Sequence, residues 1–194
     1  MSKMMFRNVM ALYPRINQPY RFDQSEYRTV PCDHGDQGAE YKLQFEISAD
    51  QLAELKKACA EAYEELKKLD KKAPKEPKNW PFKEMDNGQI VATAKNGAMR
   101  KGEKVDPPAQ YGRNNELLED GFELTHNSKI NVQVGVGAYN VGAISGVKLY
   151  IDAVQVITLA ERQVNSPFEA LDGAVEPAVK KGPFDELQGD DIPF

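Results

Sequence analysis

The clearest patterns in the chain are two runs in which apolar and polar residues alternate. The first run covers residues 41–47 and has these apolar residues on one face: Tyr41, Leu43, Phe45 and Ile47. The second run covers residues 130–136, and the apolar residues on its one face are Ile130, Val132, Val134 and Val136. Because successive side chains of a strand point to opposite faces of a sheet, each run predicts a strand with one buried face.

A helix is predicted directly after the first of these strands. Ser48, with Gln51 three positions later, forms a capping box, which is typical of a helix start. Apolar residues follow at spacings of three and four: Leu52, Leu55, Cys59, Ala62, Leu66 and Leu69. The other face carries Glu and Lys, so the pattern predicts a helix that packs one apolar stripe against a sheet. The charged segment 71–77 contains two prolines and predicts a solvated linker.

Three further strands complete the expected architecture. They run from Met4 to Leu12, from Gln89 to Lys95 and from Val147 to Leu159. Residues 14–40 are rich in Pro, Gly, Asp and Gln and predict a long loop, whereas residues 139–146 predict a hairpin turn. Five strands, with one helix between the second and the third, predict a mainly β protein: a five-stranded OB-fold barrel with long loops.

The charge of the chain is unevenly distributed. The apolar periodicity ends at Arg162, and Pro, Gly, Ala and acidic residues dominate beyond it, so we expect a domain over residues 1–162 and a flexible, disordered tail over residues 163–194. Seven of the 30 acidic residues but only two of the 25 basic residues lie in this tail, so the domain is neutral although the net charge is -5. Segments 1–22 and 91–102 contain only basic charges: Lys3, Arg7, Arg15, Arg21, Lys95, Arg100 and Lys101. Local positive charge of this kind permits phosphate contacts.

The last five residues are the most specific motif in the chain: Asp190, Asp191, Ile192, Pro193 and Phe194. They resemble the C-terminal tip of bacterial single-stranded DNA-binding proteins, which docks onto replication, repair and recombination enzymes. The chemistry fits such docking, because Phe194 and its carboxylate suit an apolar pocket with a basic residue beside it. Pro193 limits the entropy lost on binding, and the two aspartates favour basic partners.

A second resemblance covers most of the domain. The order of four segments is similar to that of the phage replication proteins that coat single-stranded DNA: Glu61-Ala62-Tyr63, Pro81-Phe82, Asp86-Asn87-Gly88 and the block 128–161 with Ser145-Gly146-Val147-Lys148-Leu149. This resemblance implies an OB fold, with its helix between the second and third strands, and an acidic tail that ends in Phe. The tail of this chain is less densely acidic than is usual in that family, and it carries the bacterial type of tip.

The side chains that contact DNA are expected to be exposed aromatic and basic residues, since stacking on a ring contributes about 1–3 kcal/mol per base and phosphate pairing adds a salt-dependent part. Tyr139 is the first candidate, because it has the strand parity of Asn131 and Gln133 and lies at the predicted hairpin tip, where the resembled family places its DNA-contacting aromatics. Tyr13 is left out, because it fits the core as an alternative. The predicted DNA-binding residues are Tyr139, Asn140, Arg15, Tyr20, Arg21, Phe22, Lys95, Arg100, Lys101, Lys129 and Trp80. Trp80 also fits as a cap on the barrel, and the basic residues 95–101 also fit as a solvated turn.

The predicted function is sequence-independent binding and protection of single-stranded DNA, with recruitment of phage or host enzymes through the tip and with no enzymatic activity of the chain itself. The main alternative is an adaptor or inhibitor that mimics the bacterial tip and binds no DNA. A structural barrel and an enzyme of DNA metabolism are weaker alternatives, and the second lacks a catalytic motif. The oligomeric state stays open, and a homodimer is compatible with the small groove of one barrel.

No cofactor or metal is expected. The segment Cys32-Asp33-His34 is only half of a zinc site, and Cys59 lies on the apolar stripe of the predicted helix. The sequence has no long apolar segment that would cross a membrane, and its two cysteines suit a reducing compartment. We therefore expect a cytoplasmic protein.

Overall fold

The computed structural model describes residues 2–161. Within this range the chain forms ten strands and one helix. In chain order they are β1 (Ser2–Asp23), β2 (Arg28–Pro31), β3 (Glu40–Glu46), α1 (Ala49–Leu69), β4 (Phe82–Glu84), β5 (Ile90–Gly97), β6 (Met99–Arg100), β7 (Glu103–Lys104), β8 (Ala109–Tyr111), β9 (Lys129–Val141) and β10 (Ile144–Thr158).

Five of these strands close into a barrel. Strands β5, β3, β1, β9 and β10 follow one another as antiparallel neighbours. A parallel pairing of β10 with β5, at Leu149 and Ala94, closes the ring. Numbered as barrel strands one to five, the order around the ring is 1-2-3-5-4, and α1 lies between strands two and three in the sequence. The predicted five-stranded barrel and the predicted place of the helix are both confirmed.

Helix α1 starts and packs as its sequence pattern predicts. Ser48 is the N-cap, and its capping box is complete: the Ser48 hydroxyl accepts from the Gln51 backbone at 3.2 Å, and the Gln51 side chain accepts from the Ser48 backbone at 2.9 Å. The buried face consists of Leu52, Leu55, Cys59 and Tyr63. Leu69, the last residue of the predicted stripe, is exposed because the helix ends there.

The core fills the barrel and continues beneath α1. It contains the inward residues of both alternating runs, and the rings of Phe6 and Phe45 meet at 5.0 Å between centroids. Burial of this alternating set fixes the register of the strands, because a slip of one residue would turn every apolar side chain outward. The same register determines which polar residues share the outer face.

Two predicted loops are shorter than the sequence indicates. The loop predicted over residues 14–40 is wrong for its first part, because β1 continues to Asp23 and pairs with β2 in a hairpin. The turn predicted over residues 139–146 is also too long: β9 ends at Val141 and β10 begins at Ile144, so the turn is Gly142-Ala143, and Gly142 adopts a φ of 60°. A two-residue hairpin turn needs such positive φ values, which glycine adopts without strain.

The predicted tail, residues 163–194, and its docking tip lie outside the described residues. The division into a domain and a flexible tail therefore stays a prediction. Between residues 2 and 161, no helix is both long and apolar enough to cross a membrane.

Candidate nucleic-acid interface

Four cationic side chains lie in a row across the outer face of the barrel. Arg15 on β1 is in register with Lys42 on β3, and Lys42 is in register with Lys95 on β5. Residues that face each other in register point to the same side of a sheet. Lys148 on β10 completes the row, because its neighbour Leu149 pairs inward with Ala94 and Lys148 therefore faces outward. We call Arg15, Lys42, Lys95 and Lys148 the basic row.

The charges of the basic row are crowded and partly desolvated. Burial lowers the pKa of Lys42, and the positive charges of Lys95 and Arg15 lower it further, against the opposing effect of Glu40. Burial also lowers the pKa of Lys148, with Lys95 adding to the shift and Glu40 opposing it. The Glu40 carboxylate accepts from the Lys95 ammonium at 2.8 Å. The row thus has four positive charges and one paired carboxylate, and this excess of positive charge favours the binding of an anion.

A cleft of about 500 Å³ lies at the β10 end of the basic row. Lys148 and Tyr150 line it, with the Lys148 ammonium 5.0 Å from the centre of the Tyr150 ring. Arg100 reaches it from the β6–β7 hairpin. On the neighbouring strand β9, the register partners of Lys148 and Tyr150 are Gly137 and Gly135, so no side chain rises beside them. We call this space the Tyr150 cleft; it combines two cations and an aromatic ring with the carboxylate of Asp152, which is paired with Lys3.

A second cleft, of about 340 Å³, lies farther along β1, β3 and β5. Gln44 and Thr93, which line it, are register partners two positions from Lys42 and Lys95, so the cleft continues the outer face of the basic row. Tyr13 stands at its edge and is 62% exposed. The alternative of Tyr13 in the core is therefore wrong. We call this space the Tyr13 cleft.

The two predicted residues of the β9–β10 hairpin point in different directions. Tyr139 is in register with Gly146 and lies on the same face as Lys148. Its hydroxyl is so close to Gly146 that a Cβ atom added to this glycine would lie only 2.9 Å from it. The ring thus covers the glycine and extends the outer face of the hairpin. Asn140 has the opposite parity, and its amide donates to the Asp70 carboxylate at the end of α1 at 2.7 Å. This bond lowers the pKa of Asp70 and gives Asn140 a structural contact.

The predicted residues Tyr20, Arg21 and Phe22 lie on the β1–β2 hairpin. The Tyr20 hydroxyl donates to Asn17 at 3.1 Å, and Phe22 is exposed. The Arg21 guanidinium lies 3.8 Å from the Asp36 carboxylate. A second carboxylate, that of Asp23, lies 4.0 Å from it. These acids offset the charge of Arg21, so the structure gives this hairpin less free positive charge than the sequence indicates.

Three other predicted residues lie outside the basic row. Lys101 is exposed at the turn between β6 and β7. Lys129 begins β9 and is in register with Met10, a residue that lines the Tyr13 cleft. The Trp80 ring packs against Phe82 at 5.6 Å between centroids, and Phe82 in turn lies under Lys56 of α1. Trp80 is thus connected to α1 through Phe82. The DNA-binding roles of these residues stay predictions.

Sequence reasoning missed Lys42, Lys148 and Tyr150. Lys42 belongs to the best alternating run, and its outward direction could have been read from that pattern. Lys148 and Tyr150 are harder to find, because β10 carries apolar residues on both faces and a register shift between Ile151 and Ala153 changes its parity. The site therefore becomes visible only when β1, β3, β5 and β10 are known to be neighbours, and the sequence does not show this directly.

The two cysteines do not resemble reactive thiols. Burial raises the pKa of Cys59 to about 12, and burial together with the charge of Asp36 raises the pKa of Cys32. Both are therefore protonated at neutral pH, whereas the thiolate is the form that attacks or binds metal. In the part of the chain that the structure describes, no three His, Cys, Asp or Glu side chains are grouped as a metal site.

Known structures resemble the chain more clearly than known sequences do. No protein-family model and no curated protein matches it. The structure of gp2.5, a single-stranded DNA-binding protein encoded by bacteriophage T7, superposes with a TM-score of 0.62 at 18% identity, over 88% of this chain and 99% of that chain. The single-stranded DNA-binding protein of bacteriophage Enc34, in complex with single-stranded DNA, superposes with a TM-score of 0.60 at 16% identity, over 83% of this chain and 89% of that chain. The chain therefore has the fold of these phage single-stranded DNA-binding proteins, as the sequence resemblance implied.

Proposed function

We propose that the chain binds single-stranded DNA without sequence preference through the outer face of β1, β3, β5 and β10. The observation that carries the proposal is the basic row, which provides four cations along one line with the aromatic Tyr150 cleft at its β10 end. Such a groove tracks phosphates while rings stack on bases, and neither contact reads the base sequence. The proteins of similar fold are described as single-stranded DNA-binding proteins, one of them in complex with single-stranded DNA, which supports the same ligand here.

Within this interface we assign each group a role. The basic row pairs with phosphates, and Arg100 adds a cation at the Tyr150 cleft. Tyr150 and Tyr139 offer rings to bases on the β9–β10 side. Asn140 stabilises the hairpin through Asp70 instead of binding DNA.

The binding experiment compares single-stranded and double-stranded DNA in a gel-shift titration. We expect tight binding of oligo-dT and weak binding of duplex. A triple variant Lys42→Ala, Lys95→Ala, Lys148→Ala should lose most of the oligo-dT binding. The matched control removes three exposed lysines on and after α1: Lys57→Ala, Lys68→Ala, Lys71→Ala. If the unmodified protein binds neither DNA, the adaptor alternative replaces this proposal.

We further propose that the C-terminal tip recruits replication, recombination or repair proteins of the phage or the host. This part rests on the sequence of residues 190–194 and on the acidity of the segment before them. Deletion of residues 185–194 should abolish capture of partner proteins while leaving the affinity for oligo-dT equal or higher. Unchanged capture after the deletion would refute the docking role of the tip.

A further inference from the structure

The Tyr13 cleft contains an aromatic pair that the assignment above does not use. The Tyr13 ring stacks on the His126 ring, with centroids 4.5 Å apart and planes inclined by 25°. The backbone N–H of Tyr13 also donates to Nδ1 of His126 at 3.2 Å. Tyr13 thus has one ring face supported, while 62% of the residue stays exposed.

The outward position of Tyr13 is built into β1. Between Leu12 and Arg15 the strand has one more residue than its partner β3, so the pairing bulges there. Pro14 lies in the bulge and cannot donate to the ladder, which favours an interruption at this place. Tyr13 adopts a φ of 46°, a conformation that is uncommon for a bulky residue. Bulges and such backbone conformations concentrate near functional sites, where they redirect a side chain.

Backbone hydrogen bonds connect the segment that carries the supporting ring to β1. His126 lies in the segment before β9, and this segment is bonded to β1 directly beside Tyr13. The Asn127 backbone donates to the Ala11 carbonyl at 2.8 Å, and the Ala11 backbone donates to the Ser128 carbonyl at 2.9 Å. Ring stacking and backbone bonds thus fix the pair before any ligand binds, which lowers the entropy lost on binding.

The surroundings of the pair select the kind of ligand. Arg15, the first cation of the basic row, follows Tyr13 by two positions, so a phosphate at Arg15 would place the attached nucleoside near the ring. The cleft itself is lined by thioether and amide side chains, among them Met10, Met85 and Gln44. A flat, partly polar ring fits between such groups and the free face of Tyr13.

We propose that Tyr13, supported by His126, is a base-stacking platform at the β1 end of the interface. The proposal rests on the proposed function and extends the path of the strand from the Tyr150 cleft, across the basic row, into the Tyr13 cleft. The ligand is a nucleobase of the bound single strand, and every base can stack there because each has a π face.

The test compares Tyr13→Ala and Tyr13→Phe with a matched control, Tyr27→Ala. Tyr27 is also an exposed tyrosine (85%) at positive φ (49°), but it lies at the turn after β1, outside both clefts. Binding of oligo-dT is measured by fluorescence anisotropy. We expect Tyr13→Ala to weaken binding by roughly 5- to 150-fold, the range that one stacked base provides. Tyr13→Phe and Tyr27→Ala should bind within about twofold of the unmodified protein by the same measure.

Two outcomes separate this inference from the proposed function. If the unmodified protein binds oligo-dT and Tyr13→Ala binds equally well, the platform is refuted and the proposed function stands. If the unmodified protein does not bind, the proposed function fails first. If Tyr13→Ala lowers the unfolding midpoint, its DNA affinity no longer tests the platform, and a crosslinking experiment on the unmodified protein replaces it. Photocrosslinking to 5-iododeoxyuridine-substituted oligo-dT should then label Tyr13, and labelling only at other residues would refute the platform.

Discussion

Neutralising the basic row should change the salt dependence of DNA binding as well as the affinity. The perturbation is the triple variant Lys42→Ala, Lys95→Ala, Lys148→Ala. On single strands, each phosphate contact contributes about 0.7 to the negative slope of log K against log salt concentration. The four cations of the row thus account for a slope of about -2.8, and removing three should reduce its magnitude by about 2. At roughly 0.1 M salt the same relation predicts a loss of about 100-fold in affinity.

The assay is a series of oligo-dT titrations by fluorescence anisotropy at increasing salt concentrations. The charge-matched control, Lys57→Ala, Lys68→Ala, Lys71→Ala, alters net charge equally but lies on and after α1. It should leave the slope nearly unchanged. An equal reduction of the slope in both triple variants would mean that the affinity reflects net charge alone, and the assignment of the row as a phosphate track would be wrong.

Three further predictions concern single contacts. Burial lowers the pKa of Lys42 and of Lys148, and a phosphate favours their charged forms, so the DNA affinity should fall by up to about fivefold for each lysine as the pH rises through these lowered pKa values. In oligo-dT titrations across alkaline pH, the double variant Lys42→Arg, Lys148→Arg should lack this fall. An identical fall in the double variant would refute deprotonation of the two lysines as its cause. Glu40→Gln should raise the affinity by up to about fivefold, because it removes the carboxylate that pairs within the row, and a decrease measured by anisotropy would contradict that role. Asn140→Ala should raise the pKa of Asp70, measured by NMR titration, and lower the unfolding midpoint without changing the DNA affinity, whereas a large loss of affinity would restore Asn140 to the DNA site.

The elements with a strict period could be predicted from the sequence. The strands around residues 41–47 and 130–136 and the helix after Ser48 each have one apolar face. The bounds predicted for the first strand and for the helix are close to the observed ones, whereas β9 continues to Val141, into the predicted turn. The second half of β1 could not be predicted, because Pro14 and Pro19 interrupt its pattern. Its strand character comes from pairing with β2 and β3 across bulges, which is a tertiary effect.

The site was predictable only in part, for a related reason. Arg15 and Lys95 were predicted from local basic character, and both are in the basic row. Lys42 joins them only because β3 lies between β1 and β5, and Lys148 only because β10 closes the barrel beside β5. From the sequence alone Tyr13 also fits the core, whereas in the structure the bulge at Pro14 turns it outward.

The energetics of the basic row bear on the choice between a DNA-binding protein and an adaptor that binds none. Desolvated lysines with lowered pKa values destabilise the folded state at neutral pH, because their charged forms are better solvated in the unfolded chain. The lysines of the row also repel one another, and within the fold the Glu40 carboxylate offsets only part of this repulsion. A bound polyanion would offset the rest, whereas an adaptor that works only through its tail would leave the repulsion uncompensated. The neutral charge of the whole domain is therefore a poor guide, since the concentration of cations on one barrel face favours DNA binding.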